Sequence, residues 1–372
     1  MNKKVLIIAN DANMFFNFRG DLAREMVKHN CEVSVVVPRN DMSERFVDLG
    51  VEELPIKFDR LNKSFLKNIA YISKMKRIIK DKRPDIVFSY SAKPVIIGSI
   101  AAHMAGVRNI YSMMSGLGQM YESKAGLGTR VLRFVCGRGY KMAFKYNKKV
   151  IFQNQDDLDE FVSRKYLPRK KCALVDGSGV NMERFLKTDL PKNDAFLMVA
   201  RPIPSKGVLD YMKAAQIVKE KYPKATFVYI GKIEASYNSV TQEDMAPFVE
   251  NHIVDFVNGT DDVPKYLAKA RVFVLPSYYR EGIPRSLLEA LASGRPIITT
   301  NLCGCKETIN SDKNGLYAES KNPSDLADKM MYMIEHSRQT ESMGEESYKY
   351  CKIRFDVTAV NRKMLSIMGI SK

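Results

Sequence analysis

At 372 residues with 45% hydrophobic side chains, the chain is too long for one ordinary core and too apolar for a disordered polymer, so two globular domains are expected. No apolar run reaches the roughly 18 residues of a membrane-spanning helix. The opening MNKKVLIIAN has only a strand-length apolar stretch where a secretory leader would have a longer one, which predicts a cytoplasmic protein. Four histidines and six cysteines, with Cys303-x-Cys305 the only close pair, read as reduced thiols and give no basis for a metal site.

The formal net charge of +17 is unevenly spread. Residues 1–180 hold 32 Lys and Arg against 18 Asp and Glu, whereas residues 181–372 hold 27 against 24. An excess confined to one half points to an anionic partner there: nucleic acid, an acidic membrane surface or a phosphorylated acceptor.

In chain order, Val5–Ala9, Glu32–Val37, Ile86–Ser89, Asn109–Ser112 and Val150–Phe152 read as buried strands. Helical patterns such as Leu66–Lys80, Pro94–Ala105 and Thr129–Phe144 lie between them. The theme repeats in the second half. There the strands are Phe196–Ala200, Thr226–Ile230, Val254–Val257, Val272–Leu275 and Pro296–Thr299, with helices including Val208–Tyr222, Val263–Lys269 and Pro284–Ser293. Continuous Val- and Ile-rich strands alternating with helices predict an α/β protein of two doubly wound, parallel-sheet Rossmann-like domains facing a cleft. The first is expected over 1–180, the second over 190–352, with a last helix at 356–368 returning to the first.

Ligands of open parallel sheets bind at the carboxyl ends of the strands, so the loops there carry the functional candidates. In ARPIPSKG, Arg201 and Lys206 stand before a helix that opens at Gly207, a suitable cradle for a diphosphate or for solvated charges. Gly231 ends a strand and would allow close approach of a ligand or simply form a turn. In VFVLPSYYREGIPRSLLEALASGRPIITT, Glu281 is expected at a helix entrance near Pro284, with Glu289 two turns on. Main-chain N–H groups of Gly282, Ile283, Arg285 and Ser286 would be free for a phosphate, and the two carboxylates could accept sugar and ribose hydroxyls. Placed among Leu287, Leu288, Ala290 and Leu291, Glu289 needs a partner if buried.

The string E-G-I-P-R-S-L-L-E at 281–289, preceded by P-S-x-x and followed by A-x-x-x-G-R-P-I-I, resembles the signature of glycosyltransferase family 4. Arg201 with Lys206-Gly207, S-G-V-N-x-x-R-F at 178–185 and G-C-K-E at 304–307 match further elements of that family, with Ser178 and Asn181 standing where Asn and Asp are usual. The resemblance implies the GT-B fold and a retaining transfer from a nucleotide sugar, expected to be UDP-linked, without a metal or other cofactor. It implies that Arg201 and Lys206 hold the diphosphate, Glu281 contacts the donor sugar, Glu289 the ribose, and that Gly231, Gly282, Ile283, Pro284, Ser286 and Leu287 line the donor site.

The first half would then bind the acceptor, through Asn17 and Arg19 after the first strand and through Ser115, Gly116, Leu117 and Gly118 after the fifth. The latter loop resembles that of family members acting on lipid-linked oligosaccharides, so the expected acceptor is a polyprenyl-diphosphate-linked saccharide. Between Lys124 and Lys149 there are eight basic residues and no acidic one. At helical pitch, Arg130, Arg133, Arg138, Lys141, Lys145 and Lys148 share one arc, with Phe134 and Phe144 on or beside it. This suits either an interfacial helix on anionic lipid, at the inner face of the cell membrane, or a solvated basic face. Other readings are a sugar-nucleotide epimerase, a non-catalytic partner of the same fold, and a nucleic-acid-binding protein. No recognisable nucleic-acid module accompanies the charge, so no nucleic acid is expected as partner.

Overall fold

The computed structural model describes residues 2–57, 65–118, 127–233 and 239–370. The chain divides into two compact units, one of residues 1–178 with 358–372 and one of residues 179–357. Of the basic stretch noted above, Lys124 lies outside the described residues.

The first unit begins β1 (Lys4–Ile8), α1 (Ala12–Lys28), β2 (Glu32–Pro38), α2 (Ser43–Asp48), β3 (Glu52–Ile56), α3 (Phe65–Lys82), β4 (Ile86–Tyr90) and α4 (Ala92–Met104). It continues β5 (Asn109–Met114), α5 (Leu127–Tyr146), β6 (Lys149–Phe152), α6 (Gln155–Ser163) and β7 (Cys172–Leu174). The strands form a parallel sheet ordered β3-β2-β1-β4-β5-β6-β7, so the direction of winding reverses between β1 and β4. Residues such as Val5, Ile7, Val35 and Phe88 fill one face of the sheet and Leu6, Ile8, Val87 and Ile110 the other. Two-faced burial is why these strands read as continuous apolar runs.

The two strands that do not stand out in the sequence, β3 and β7, are the edges of this sheet. The β3 sequence EELPI keeps two glutamates and a proline, which an edge tolerates because it pairs and is covered on one side only. Helix α1 is capped by Asp11, whose side chain accepts from the Met14 N–H at 2.9 Å. Its apolar face of Phe15, Leu22, Ala23 and Met26 is interrupted by the buried Arg19 and Gly20, which obscures the helical period.

The second unit contains β8 (Ala195–Val199), α7 (Val208–Lys221), β9 (Thr226–Ile230), α8 (Gln242–Val249), β10 (Asp255–Val257), α9 (Val263–Lys269) and β11 (Val272–Leu275). It ends with α10 (Arg285–Ala292), β12 (Ile297–Thr300), β13 (Gly315–Ala318), α11 (Pro323–Glu335) and α12 (Ser337–Arg354). Its parallel sheet has the order β10-β9-β8-β11-β12-β13, with the reversal between β8 and β11. Both units are therefore doubly wound Rossmann-like sheets. Arg295, fully buried, ties this unit together by donating to the carbonyls of Leu267 at 3.1 Å and Ala270 at 2.8 Å, at the end of α9, and to Thr188. Burial pulls its pKa down to about 10, still far above neutrality, so the guanidinium stays charged among those carbonyls.

The last helix, α13 (Val357–Met368), belongs to the first unit, where Met364, Leu365 and Met368 enter the core with Val5 and Ile86. Among the described residues, no helix is long and apolar enough to cross a membrane.

Candidate functional site

The second sheet's reversal point brings two loops together. One follows β8 and carries Arg201 and Lys206; the other follows β11 and carries Ser277 to Gly282. Lys206 pairs with Glu281 Oε1, and the side chains are only 9% and 14% exposed. Ser277 Oγ donates to the same carboxylate oxygen at 3.0 Å. The loops are also joined through main chain, the Tyr278 N–H donating to the Ser205 carbonyl at 2.8 Å. Tyr279 lies between the cations, its ring centre 5.9 Å from the Arg201 guanidinium and 5.7 Å from the Lys206 ammonium. Arg201 itself is exposed.

Two glycines make this approach possible. Gly207 has φ +76°, and a Cβ there would lie 2.5 Å from the Pro276 carbonyl oxygen. Gly304 has φ +83°, and a Cβ there would overlap the Gly282 carbonyl, so any side chain at 304 would push the Glu281 loop aside. The G-C-K-E segment therefore seats Glu281 from behind. Its own Glu307 is bound elsewhere, accepting from Arg354 at 2.7 Å. Gly231 packs against the Tyr229 hydroxyl and the Ala200 carbonyl, so its lack of a side chain is explained by neighbouring protein atoms.

The helix starts later than expected. Pro284 has φ −61° and ψ 121° and stands as the residue before α10, so Glu281, Gly282 and Ile283 belong to the loop. Half of the eight-residue spacing to Glu289 is thus loop, and the first-turn N–H groups of α10 belong to Arg285, Ser286 and Leu287. Leu287 and Ile283 are buried in the unit's core. Glu289 is 15% exposed and has the partner its apolar setting requires: Arg285 Nε donates to Glu289 Oε1 at 3.2 Å, one helical turn earlier. Burial raises the Glu289 pKa, and the charges of Arg285 and Arg184 pull it part of the way back.

Sequence reasoning overlooked Ser277, Tyr279 and the side chain of Arg285. Of these, the Arg285–Glu289 pair was readable from its i, i+4 spacing. Ser277 and Tyr279 become visible only when the loops are brought together.

In the first unit, Arg19 is buried. It sits in the second turn of α1, 4% exposed, donating to the Phe18 carbonyl at 2.8 Å and to Met113, with the Tyr90 ring centre 5.6 Å away. Asn17, on the same helix, is exposed. Ser115 to Gly118 follow β5, so this turn and Arg19 meet the same end of the sheet. Gly116 and Gly118 have φ of +99° and +62°, which only glycine adopts freely, and the Leu117 side chain is buried with Val95 and Tyr140.

On α5, Arg130, Phe134, Lys141 and Lys145 are exposed and Arg133 is half-buried. Phe144 departs from expectation: it is buried against Tyr140 and Phe161, because its edge of the basic arc adjoins the core. The exposed face carries instead Val131, Leu132, Phe134 and Val135, three of them about 60% exposed. Arg138 lies over the Phe134 ring at 4.7 Å.

The family description "Glycosyl transferases group 1" matches residues 183–350, and "Glycosyl transferase 4-like" matches residues 4–154. With two Rossmann-like units and these matches across both, the chain is a glycosyltransferase of the GT-B fold. It belongs to family 4 of those enzymes. It is 27% identical over 369 residues, 95% of this chain and 94% of the relative, to an N,N'-diacetylbacillosaminyl-diphospho-undecaprenol alpha-1,3-N-acetylgalactosaminyltransferase of Campylobacter jejuni. It is 27% identical over 195 residues, 48% of this chain and 49% of the relative, to a UDP-Gal:alpha-D-GlcNAc-diphosphoundecaprenol alpha-1,3-galactosyltransferase of Escherichia coli. The crystal structure of Anabaena HepE in complex with UDP and glucose superposes with a TM-score of 0.82 at 16% identity, covering 99% of this chain and 100% of that one.

If Glu289 accepts the two ribose hydroxyls, as the family resemblance implies, it must be ionised to do so, and with its pKa raised nucleotide binding is expected to weaken on acidification at a higher pH than an ordinary glutamate would impose. Calorimetric titration of UDP from pH 8 to pH 5 checks this. Affinity should fall as pH drops, and Glu289→Gln should bind more weakly at pH 8 but lose most of the pH dependence.

Proposed function

We propose that the chain transfers a hexose or N-acetylhexosamine from a UDP-sugar, with retention of anomeric configuration, to a polyprenyl-diphosphate-linked saccharide. The observation that carries this reading is the convergence of Lys206, Arg201 and Glu281 at the reversal point of the second sheet, in a chain matched along nearly its full length by a lipid-linked-saccharide transferase.

In this reading Arg201 and Lys206 hold the donor diphosphate, and the first-turn N–H groups of α10 add dipoles to the same anion. The bond between the anomeric carbon and the β-phosphate oxygen breaks, leaving UDP. The acceptor oxygen bonds to that carbon on the same face, and its proton passes to the departing phosphate. Negative charge grows on that phosphate as the bond breaks, and two fixed cations stabilise it without a metal. Glu281 accepts from donor-sugar hydroxyls, and Glu289 accepts from the ribose.

Acceptor binding falls to the first unit, through Asn17, Arg19 and the turn of Ser115, Gly116, Leu117 and Gly118. The exposed apolar and basic residues of α5 support docking on an anionic membrane, at the inner face where such acceptors are elongated in the cytoplasm. Apolar side chains would enter the headgroup region while Arg130, Arg133, Lys141 and Lys145 meet lipid phosphates.

Two experiments test the proposal. Incubation with a panel of UDP-sugars and a short-chain prenyl-diphosphate saccharide should yield one α-linked product by NMR. Lys206→Ala should lower kcat/KM by about a hundredfold or more, the scale of losing one transition-state charge partner. Full activity of that variant, or an inverted product, would contradict the assignment. In flotation assays the protein should bind vesicles containing anionic phospholipid and not pure phosphatidylcholine. Arg130→Glu with Arg133→Glu should weaken binding about tenfold or more, given about 1 kcal/mol per cation at an anionic surface; unchanged flotation would remove α5 from the docking face.

A further inference from the structure

Away from both candidate sites, a groove of about 570 Å³ opens on the first unit between the second half of α5, the end of α6 and the turn before β7. Its lining is mostly carbon, with Val162, Leu167 and Pro168 among the residues that form it. Lys141, Lys145, Lys165 and Lys171 line it as well. Gly137 of α5 shapes one wall, because any side chain there would overlap Tyr166.

The lysines are not neutralised by the fold. Among the described residues none of the four pairs with a carboxylate, and of the four acids of α6, Asp159 and Glu160 are taken by Arg169 and by Arg164, the latter at 2.5 Å. Lys171 is fixed at the groove by donating to the carbonyls of Phe144 at 2.9 Å and Lys145 at 2.7 Å, at the end of α5. Burial and the adjacent Lys170 hold its pKa below the ordinary lysine value, so an anion at this place would relieve an uncompensated charge.

Four lysines that line an apolar groove and have no carboxylate partner among the described residues fit an anion attached to hydrocarbon. A free phosphate would leave the carbon lining unused, and a purely apolar partner would strand the cations. We propose that this groove binds the phosphate-bearing headgroup and first methylenes of a single lipid. The inference deepens the reading of α5 as a membrane-facing helix, on which it rests in part, but Lys165 and Lys171 come from outside that helix. A phosphate ester in the groove would accept several charge-assisted hydrogen bonds at once.

The test is calorimetric titration of the full chain with dihexanoyl phosphatidic acid below its micellar concentration, geranyl diphosphate, dihexanoyl phosphatidylcholine, inorganic phosphate and an oligoglutamate peptide. The comparison variant is Lys145→Glu with Lys165→Glu, both exposed positions, with thermal melting to confirm that it folds. Either anionic lipid should bind at least about tenfold tighter than inorganic phosphate and phosphatidylcholine, and the variant should lose about tenfold or more. The tighter of the two anionic lipids identifies the natural source. Equal binding of inorganic phosphate, tighter binding of the peptide, or an unaffected variant would overturn the proposal. Vesicle flotation of the Arg130 and Arg133 variant reads the helix separately: failure of the unaltered protein to bind the short-chain anionic lipids strikes the groove, whereas flotation unchanged by those two substitutions strikes only the docking role of α5.

Discussion

The ion pair between Lys206 and Glu281 is the constraint on which the second unit's site depends. It joins the loop after β8 to the loop after β11 across the reversal point of the sheet, with both side chains largely buried. Removing one partner of such a pair costs about 3–5 kcal/mol, because the other charge is left without water or counter-charge. The pair is therefore tolerable only if the surroundings hold it closely. Gly207 and Gly304 allow the main chains to close in, and Ser277 supplies the further hydrogen bond to the carboxylate. A lysine so held needs an incoming diphosphate to compete with Glu281 for it, which links proposed donor binding to the release of the glutamate toward the sugar.

The second glutamate shows how environment separates two carboxylates eight residues apart. Glu281 sits on a loop against a lysine, whereas Glu289 sits inside α10 against Arg285, in a setting that raises its pKa. In the proposed reading one exchanges partners at the reacting end of the donor and the other grips its far end, so that binding energy gathered at the ribose holds the anomeric carbon in place while charge develops at the phosphate.

Most of the fold was legible because parallel strands buried on both faces leave continuous apolar runs. The exceptions, β3 and β7, are edge strands, where Glu52, Glu53 and Pro55 break the pattern without breaking the sheet. The donor-site candidates were legible because their spacing is local: Arg201 to Lys206 within one loop, Glu281 to Glu289 across one loop and helix. The helix start was misplaced because Pro284 is equally at home in the first turn or just before it. On α5 the charges could be placed by helical pitch, but the sequence cannot tell which edge of an arc the core will cover. Phe144 went inward, while Val131 and Val135 were left outside. Ser277, Tyr279 and the lysine groove depend on contacts between separate elements, which no local pattern encodes.

The most direct test of this account is the affinity of Glu281→Gln for UDP alone, measured by calorimetry beside its transfer rate. If Lys206 is the diphosphate ligand restrained by Glu281, removing the carboxylate charge frees the lysine, and UDP should bind as tightly as to the unaltered protein or tighter while sugar transfer collapses. Weakened UDP binding with transfer retained would contradict it.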